Sequence, residues 1–301
     1  MLVHTHGLPV SPPRAVVIGA GGFVGSSIAA GLRHAGVAVL AITRTDVDLL
    51  ADAASDALAP LLRPTDSVVF VSAVAPAKTS AQLMTNLRMA ESAIGALKVS
   101  PPAHLLYISS DAVYADDANP VNEASSVAPT TMHGMMHAAR ELMFRTEVKA
   151  PFAALRPTLI YGAADPHSGY GPNRFRRQAA SGQPILLFGE GEERRDHVAV
   201  EDVARLAALI VQHRSVGALN AVTGVSTSFR DIAHMVASNF GSSAQVVSQP
   251  RSGPPPHLMH RFFDIANVYK AFPDFHFERL QDGLARVHRE LHAAGAPGER
   301  M

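Results

Sequence analysis

Short apolar runs alternate with longer amphipathic stretches along the first half of this chain. Ala15-Val16-Val17-Ile18 is a four-residue apolar run closed by Gly19, and it reads as a buried strand. Phe23 to His34 has helical spacing and stops at Gly36. The alternation then continues. Strands are expected over 37–42, 67–71, 105–109 and 152–155, and helices over 52–62, 82–97 and 131–148. Strands and helices that alternate at short spacing predict an α/β fold built on a doubly wound parallel sheet.

After Gly162 the pattern loosens. Residues 163–173 and 249–256 are rich in Gly, Pro and polar residues and read as loops. Helices are expected over 174–180, 203–211, 230–240 and 280–292, with one strand over 218–222. This organisation suggests a flexible tail over 1–13 and a main domain over 14–165 with return segments near 195–225. A smaller C-terminal lobe then takes 166–194 and 226–301.

Composition narrows the function classes. The chain has 301 residues, 47% apolar and 17% charged, which is enough to bury a sizeable core. Its 26 basic and 26 acidic residues balance, so no broad basic field awaits nucleic acid or an anionic membrane. There is no Cys, which excludes disulfides, thiolate metal sites and cysteine nucleophiles. No apolar run is long enough to span a membrane. The first residues, with His4, His6, Pro9, Pro12 and Pro13, lack the pattern of a signal peptide, so a cytoplasmic protein is expected.

The chemistry begins at the first turn. Gly19-x-x-Gly22-x-x-Gly25 lies between the first strand and the first helix, which Phe23 and Val24 open. Glycines there let backbone approach a pyrophosphate, and the helix N-terminus faces its charge. In that context the motif points to a nicotinamide dinucleotide. The second strand ends in Thr43-Arg44, where NAD-binding folds usually place an acidic residue for the adenine ribose. An Arg can grip a 2′-phosphate with its planar fork, so NADP is the expected cofactor, with NAD as the other choice.

Further stretches carry a resemblance. They are Asn86-Leu87, Ile108-Ser-Ser-Asp-Ala-Val-Tyr114, Leu155-Arg-Pro-Thr-Leu-Ile-Tyr-Gly162, and Gly189-Glu-Gly191 through Arg195-Asp-His-Val-Ala-Val-Glu-Asp202. In this order, together with the glycine turn, the sequence resembles the extended short-chain dehydrogenase/reductases, the NAD-dependent epimerase/dehydratase family. The resemblance implies a Rossmann fold with a substrate-binding C-terminal lobe, action largely on nucleotide-linked sugars, and a homodimer joined through the two long helices. It implies that Asp48, Ala73 and Pro157 join Gly19, Gly22, Phe23, Val24, Gly25, Thr43 and Arg44 around the cofactor. Ser110 stands at the family's Ser/Thr position and Asp111 beside substrate. Arg195 and Arg251 match the arginines that face a nucleotide diphosphate.

One segment departs from the family. Its Tyr-Gly-x-x-Lys pattern is His133-Gly134-Met135-Met136-His137 here, and no Tyr in the chain has a Lys four residues on. Family members use that Tyr for proton transfer and that Lys to hold the nicotinamide ribose. Three readings follow. His133 substitutes as acid and base, since an imidazole titrates near neutrality, while His137 donates to the ribose. Or the site is catalytically dead and the protein holds or senses a dinucleotide. Or the His pair binds a metal, for which Asp111 is the one further candidate ligand in the motif. The first gives an atypical NAD(P)-dependent oxidoreductase or epimerase acting on a nucleotide-linked or related sugar. A non-redox isomerase or lyase that uses His133 stands as a further alternative.

Overall fold

The computed structural model describes residues 1–241, 244–251 and 258–293. Each apolar run of the first half forms a strand. β1 (Ala15–Ile18), β2 (Val39–Ile42), β3 (Ser67–Phe70), β4 (His104–Ile108), β5 (Phe152–Pro157) and β9 (Gly217–Ala221) make one parallel sheet in the order β2-β1-β3-β4-β5-β9. The chain crosses between strands through α1 (Phe23–His34), α2 (Ala54–Leu58), α3 (Ser80–Val99), α4 (Met132–Glu147) and α6 (Val200–Gln212). β1, β3 and β4 are buried along their whole length, as strands covered by helices on both faces must be. Each Val, Ile or Leu they bury contributes roughly 1.5–3 kcal/mol.

The chain divides into two compact units: Met1–Thr158 with Glu201–Ala221 and Ile265–Phe275, and Leu159–Val200 with Val222–Asp264 and His276–Met301. The first unit ends earlier than residue 165 because β6 (Leu159–Tyr161) leaves the main sheet. It pairs with β8 (Arg194–Ala199) instead, Ile160 opposite Val198. The first unit also takes back α8 (Ala266–Ala271), whose Val268 is fully buried.

Two local expectations change. Residues 52–62 form only the short α2 and a 3₁₀ turn over Ala59–Leu61, because Pro60 has no N–H to continue the helix. The N-terminal segment, expected to be loose, is held against the first unit. Leu2 is buried, Val3 pairs with Val216, and His4 stacks on His213 at 4.3 Å while bonding Ser215 and the Ala271 carbonyl.

The second unit holds β6, α5 (Pro172–Ala180), β7 (Ile185–Phe188), β8, β10 (Ser226–Ser228), α7 (Phe229–Ser238), β11 (Val246–Gln249) and α9 (Leu280–Ala293). Its strands form a sheet of order β10-β8-β6 and a β11-β7 pair. Phe175, Leu187, Phe229, Ile232 and Leu284 form its core.

Candidate functional site

From β1 the chain passes to β2 on one side and later to β3 on the other. In a doubly wound sheet this reversal opens a crevice at the strands' C-terminal ends, where ligands bind. The glycine turn sits at that point. Gly19 has φ +99°, and a Cβ there would lie 2.7 Å from the Ser72 amide nitrogen. A Cβ on Gly25 would lie 2.1 Å from the Gly19 carbonyl oxygen, so only glycine lets α1 start this close to β1. Gly21 and Gly22 are exposed, and no acidic residue occupies the first turn of α1. The amides that open α1 at Phe23, Val24 and Gly25 have no earlier helical turn to bond. This arrangement fits a pyrophosphate.

Across the crevice, the loop after β3 carries exposed Ala73. Asn86 of α3 clamps that loop. Its Oδ1 accepts from the Val74 amide at 2.9 Å and its Nδ2 donates to the Val74 carbonyl at 2.9 Å. Pro157 lies buried at the end of β5.

At the end of β2 the Thr43 amide and hydroxyl both donate to Asp46, at 2.8 and 2.7 Å. Asp46 was missed from sequence, although Thr-x-x-Asp is a turn pattern that could have revealed it. The Arg44 side chain is 80% exposed, and its partner is Asp48 at 3.2 Å. The Leu50 amide first, and then Arg44, hold the Asp48 carboxyl below its usual range. Asp48 is thus placed as a brace for Arg44. An exposed pair of this kind is weak, which leaves the guanidinium available to a phosphate.

The departed motif lies on the first turns of α4. Thr131 caps the helix through the Gly134 amide at 3.0 Å. A Cβ on Gly134 would sit 2.0 Å from the Ala112 carbonyl oxygen, so the glycine lets the Ser110-Asp111-Ala112 turn pack directly on α4. Ser110 caps that turn: its Oγ accepts from the Ala112 amide at 3.1 Å and lies 3.4 Å from Asp111 Oδ1. His133 is half-buried, with the Ala77 amide 3.5 Å from its Nδ1. His137 is 6% exposed, and its Nδ1 lies 2.7 Å from the Tyr107 hydroxyl. The two imidazoles meet edge to face, with ring centroids 4.7 Å apart. Burial first, then the neighbouring His133 and Arg140, hold the His137 pKa well below that of a free histidine. Among the described residues, no three His, Asp or Glu side chains are grouped to hold a metal ion.

Behind this pair α4 is anchored by buried charge. Glu141 accepts from Ser109 Oγ at 2.5 Å and takes both arms of Arg156, at 2.9 and 2.6 Å. Arg156 also donates to the Tyr114 hydroxyl, which donates to Asn220 at 2.7 Å. Burial pushes the Tyr114 phenol up to about 12. Tyr114 therefore serves this network as a neutral bridge.

In the second unit Arg195 and Arg251 come together on one carboxylate. Glu193, 6% exposed, lies 3.7 Å from Arg195 and 3.0 Å from Arg251. Arg195 also donates to the carbonyls of Arg194, Met259 and Leu258. The adjacent Asp196 accepts from Thr223 and from the Gly224 amide and so closes a turn. Tyr170, in the 163–173 loop, packs among Phe175, Phe188 and Phe229. Residues 252–256 of the expected Pro-rich loop lie outside the described residues.

Known proteins share this architecture. A curated ADP-L-glycero-D-manno-heptose-6-epimerase from Alkalilimnicola ehrlichii is 27% identical over 197 residues, a match that spans 60% of this chain and 60% of that relative. A GDP-L-fucose synthetase from Naegleria fowleri, solved bound to NADP, superposes with a TM-score of 0.85 at 14% identity, covering 98% of this chain and 99% of that one. MoeE5, solved with UDP-glucose and NAD, superposes with a TM-score of 0.79 at 21% identity, covering 94% and 100%. Likeness at these identities speaks to the fold. The model of the NAD dependent epimerase/dehydratase family matches residues 15–225, and the chain belongs to that family.

Proposed function

We propose that this protein is an NAD(P)-dependent epimerase or reductase of nucleotide-linked sugars in which His133 and His137 act in place of a Tyr and a Lys. The observation that carries the reading is the glycine turn, whose close approaches admit no side chain at Gly19 or Gly25. Phe23, Val24 and Gly25 would hold the pyrophosphate with their amides, and exposed Arg44 favours NADP over NAD. Ala73 and Pro157 would flank the cofactor. Bound there, the nicotinamide ring would supply hydride transfer.

The chain's own residues would handle the proton. His133 is half-buried at the start of α4, and its ring would exchange a proton with a sugar hydroxyl. Ser110 and Asp111 share the turn that packs on α4 and would orient that hydroxyl. His137 would donate to the nicotinamide ribose. Arg195 and Arg251 would receive the diphosphate once it displaces Glu193.

The test is to mix the purified protein and cofactor, oxidised or reduced, with a panel of nucleotide sugars, following absorbance at 340 nm for net reduction and the proton NMR spectrum of the sugar for epimerisation. Net reduction or epimerisation of at least one sugar supports the reading. Cofactor binding with neither change for any of them would leave a dinucleotide-holding protein. A homodimer in the cytoplasm fits the same reading. α3 and α4 expose Met84, Met135 and Leu142, each about half accessible. Sedimentation should show twice the monomer mass, and a monomer would contradict that pairing.

A further inference from the structure

Tyr107 belongs to β4 and was given no role by the sequence. Its ring is wedged among Phe70, Phe144 and His137, with centroids 6.1, 5.4 and 5.8 Å away. The residue is 1% exposed, so its hydroxyl occupies one fixed place. That hydroxyl hydrogen-bonds His137 Nδ1 at 2.7 Å. The positive charge of Arg140, one turn further along α4, acts on the same phenol.

Arg140 is fully buried, and the main chain fixes it. It donates to the Asn86 carbonyl at 2.9 and 2.6 Å and to the Ser72 carbonyl at 2.8 Å, and it lies over the Phe70 ring. A cation on one side of the phenol favours the hydroxyl dipole that turns the oxygen toward Arg140 and the proton toward His137 Nδ1, its hydrogen-bond partner. A neutral imidazole whose Nδ1 accepts must carry its own proton on Nε2. The opposite tautomer would aim Nδ1–H at the phenolic oxygen and deprive the phenolic proton of that acceptor in a residue 1% exposed.

We propose that Tyr107 is a positioning residue that, wedged in the core, fixes His137 as the Nε2–H tautomer and so makes it a one-sided hydrogen-bond donor. The use of that donor toward the cofactor rests on the function proposed above; the tautomer itself does not. The Ser72 and Asn86 carbonyls fix Arg140, Tyr107 orients His137, and His137 in turn sets the edge against which His133 packs. A buried cation also persists near the motif. It stands at Arg140 behind the phenol, while His137 stays neutral because of its burial and the charge of Arg140.

The direct test is a long-range proton–nitrogen NMR spectrum of the full chain with ¹⁵N-labelled histidine, with His137 assigned by loss of its signals in His137→Gln. The wild-type ring should show an unprotonated Nδ1 and a protonated Nε2, unchanged from pH 8 to pH 6. In Tyr107→Phe the two nitrogens should move toward averaged values as both tautomers populate. A wild-type ring protonated on Nδ1, or doubly protonated near neutrality, would overturn the proposal, and so would a Tyr107→Phe spectrum unchanged at His137. The wild-type result decides the matter even if the variant folds poorly. NADPH affinity is read separately and should fall about fivefold in Tyr107→Phe, the worth of about one hydrogen bond. A tautomer change without an affinity change would uphold Tyr107 as the positioning residue and remove His137 from cofactor binding.

Discussion

The glycine turn and the first turns of α4 belong to the same unit, and they are built in opposite ways. The turn is made of backbone: Gly19 and Gly25 work by what they lack, and the closest approaches are to the Gly19 carbonyl and the Ser72 amide. The α4 site is made of side chains of α4 held by groups borrowed from other elements: the Tyr107 hydroxyl from β4, the Ala77 amide from the loop before α3, and the Ala112 carbonyl from the turn after β4. A backbone site is written in a few adjacent letters. A side-chain site is written in residues scattered over the chain, and its chemistry depends on which faces the fold brings together.

Breaking the backbone site should have the largest effect. Gly25→Val puts a branched side chain where even a Cβ would lie 2.1 Å from the Gly19 oxygen. The expected cost is about 4 kcal/mol or more, the range of buried backbone clashes, with loss of NADPH binding. Thermal melting and cofactor titration check it, and a near-native melt with intact binding would show that α1 can shift away from β1.

The side-chain site should fail next at its anchor. Glu141→Ala leaves Arg156 buried without its carboxylate, which costs about 3–5 kcal/mol. A urea titration reads this directly. A loss under 1 kcal/mol would mean that the Tyr114 and Asn220 end holds Arg156 by itself.

Acid should act on the histidines and spare the glycine turn. Burial, the largest cause in each case, lowers the pKa of His104 and of His197 to about 4, and that of His137 falls well below normal too. A folded-state pKa below the unfolded value near 6.5 means that the unfolded chain takes up the proton first. Stability is therefore complete above about pH 6.5 and is lost as the pH falls toward 4. The difference of roughly 2.5 units is worth at most about 3 kcal/mol for each of His104 and His197. Denaturation midpoints measured from pH 7 to 4.5 should fall steadily, and a flat profile would show these rings to be hydrated.

The smallest effect should come from Arg44. Arg44→Ala removes an exposed side chain, so the melting temperature should stay within about 2 °C while NADPH affinity drops about tenfold and NADH affinity holds. Equal losses for both cofactors would point to Thr43 and Asp46 as the ribose-reading pair.

The same contrast explains what the sequence made legible. The main sheet could be read because β1, β3 and β4 are buried on both faces and so appear as unbroken apolar runs. β8 and β10 could not, since Arg194-Arg195-Asp196-His197 and Ser226-Thr227-Ser228 carry polar side chains bonded inside the second unit. The N-terminal segment looked loose because it has no periodicity; a single buried Leu2 and a bridge to Val216 hold it. The glycine turn was legible to the residue. His133 and His137 were legible as departures, but Tyr107 was not, because nothing in its position on β4 announces a partner thirty residues away.

The central claim is that His133 performs the proton transfer on a site where a dinucleotide binds. The most direct measurement compares wild type with His133→Ala in turnover of the nucleotide sugar and in NADPH affinity. Turnover should fall by at least about a hundredfold, the usual worth of a general acid–base, with NADPH affinity nearly unchanged. Undiminished turnover in His133→Ala would contradict it.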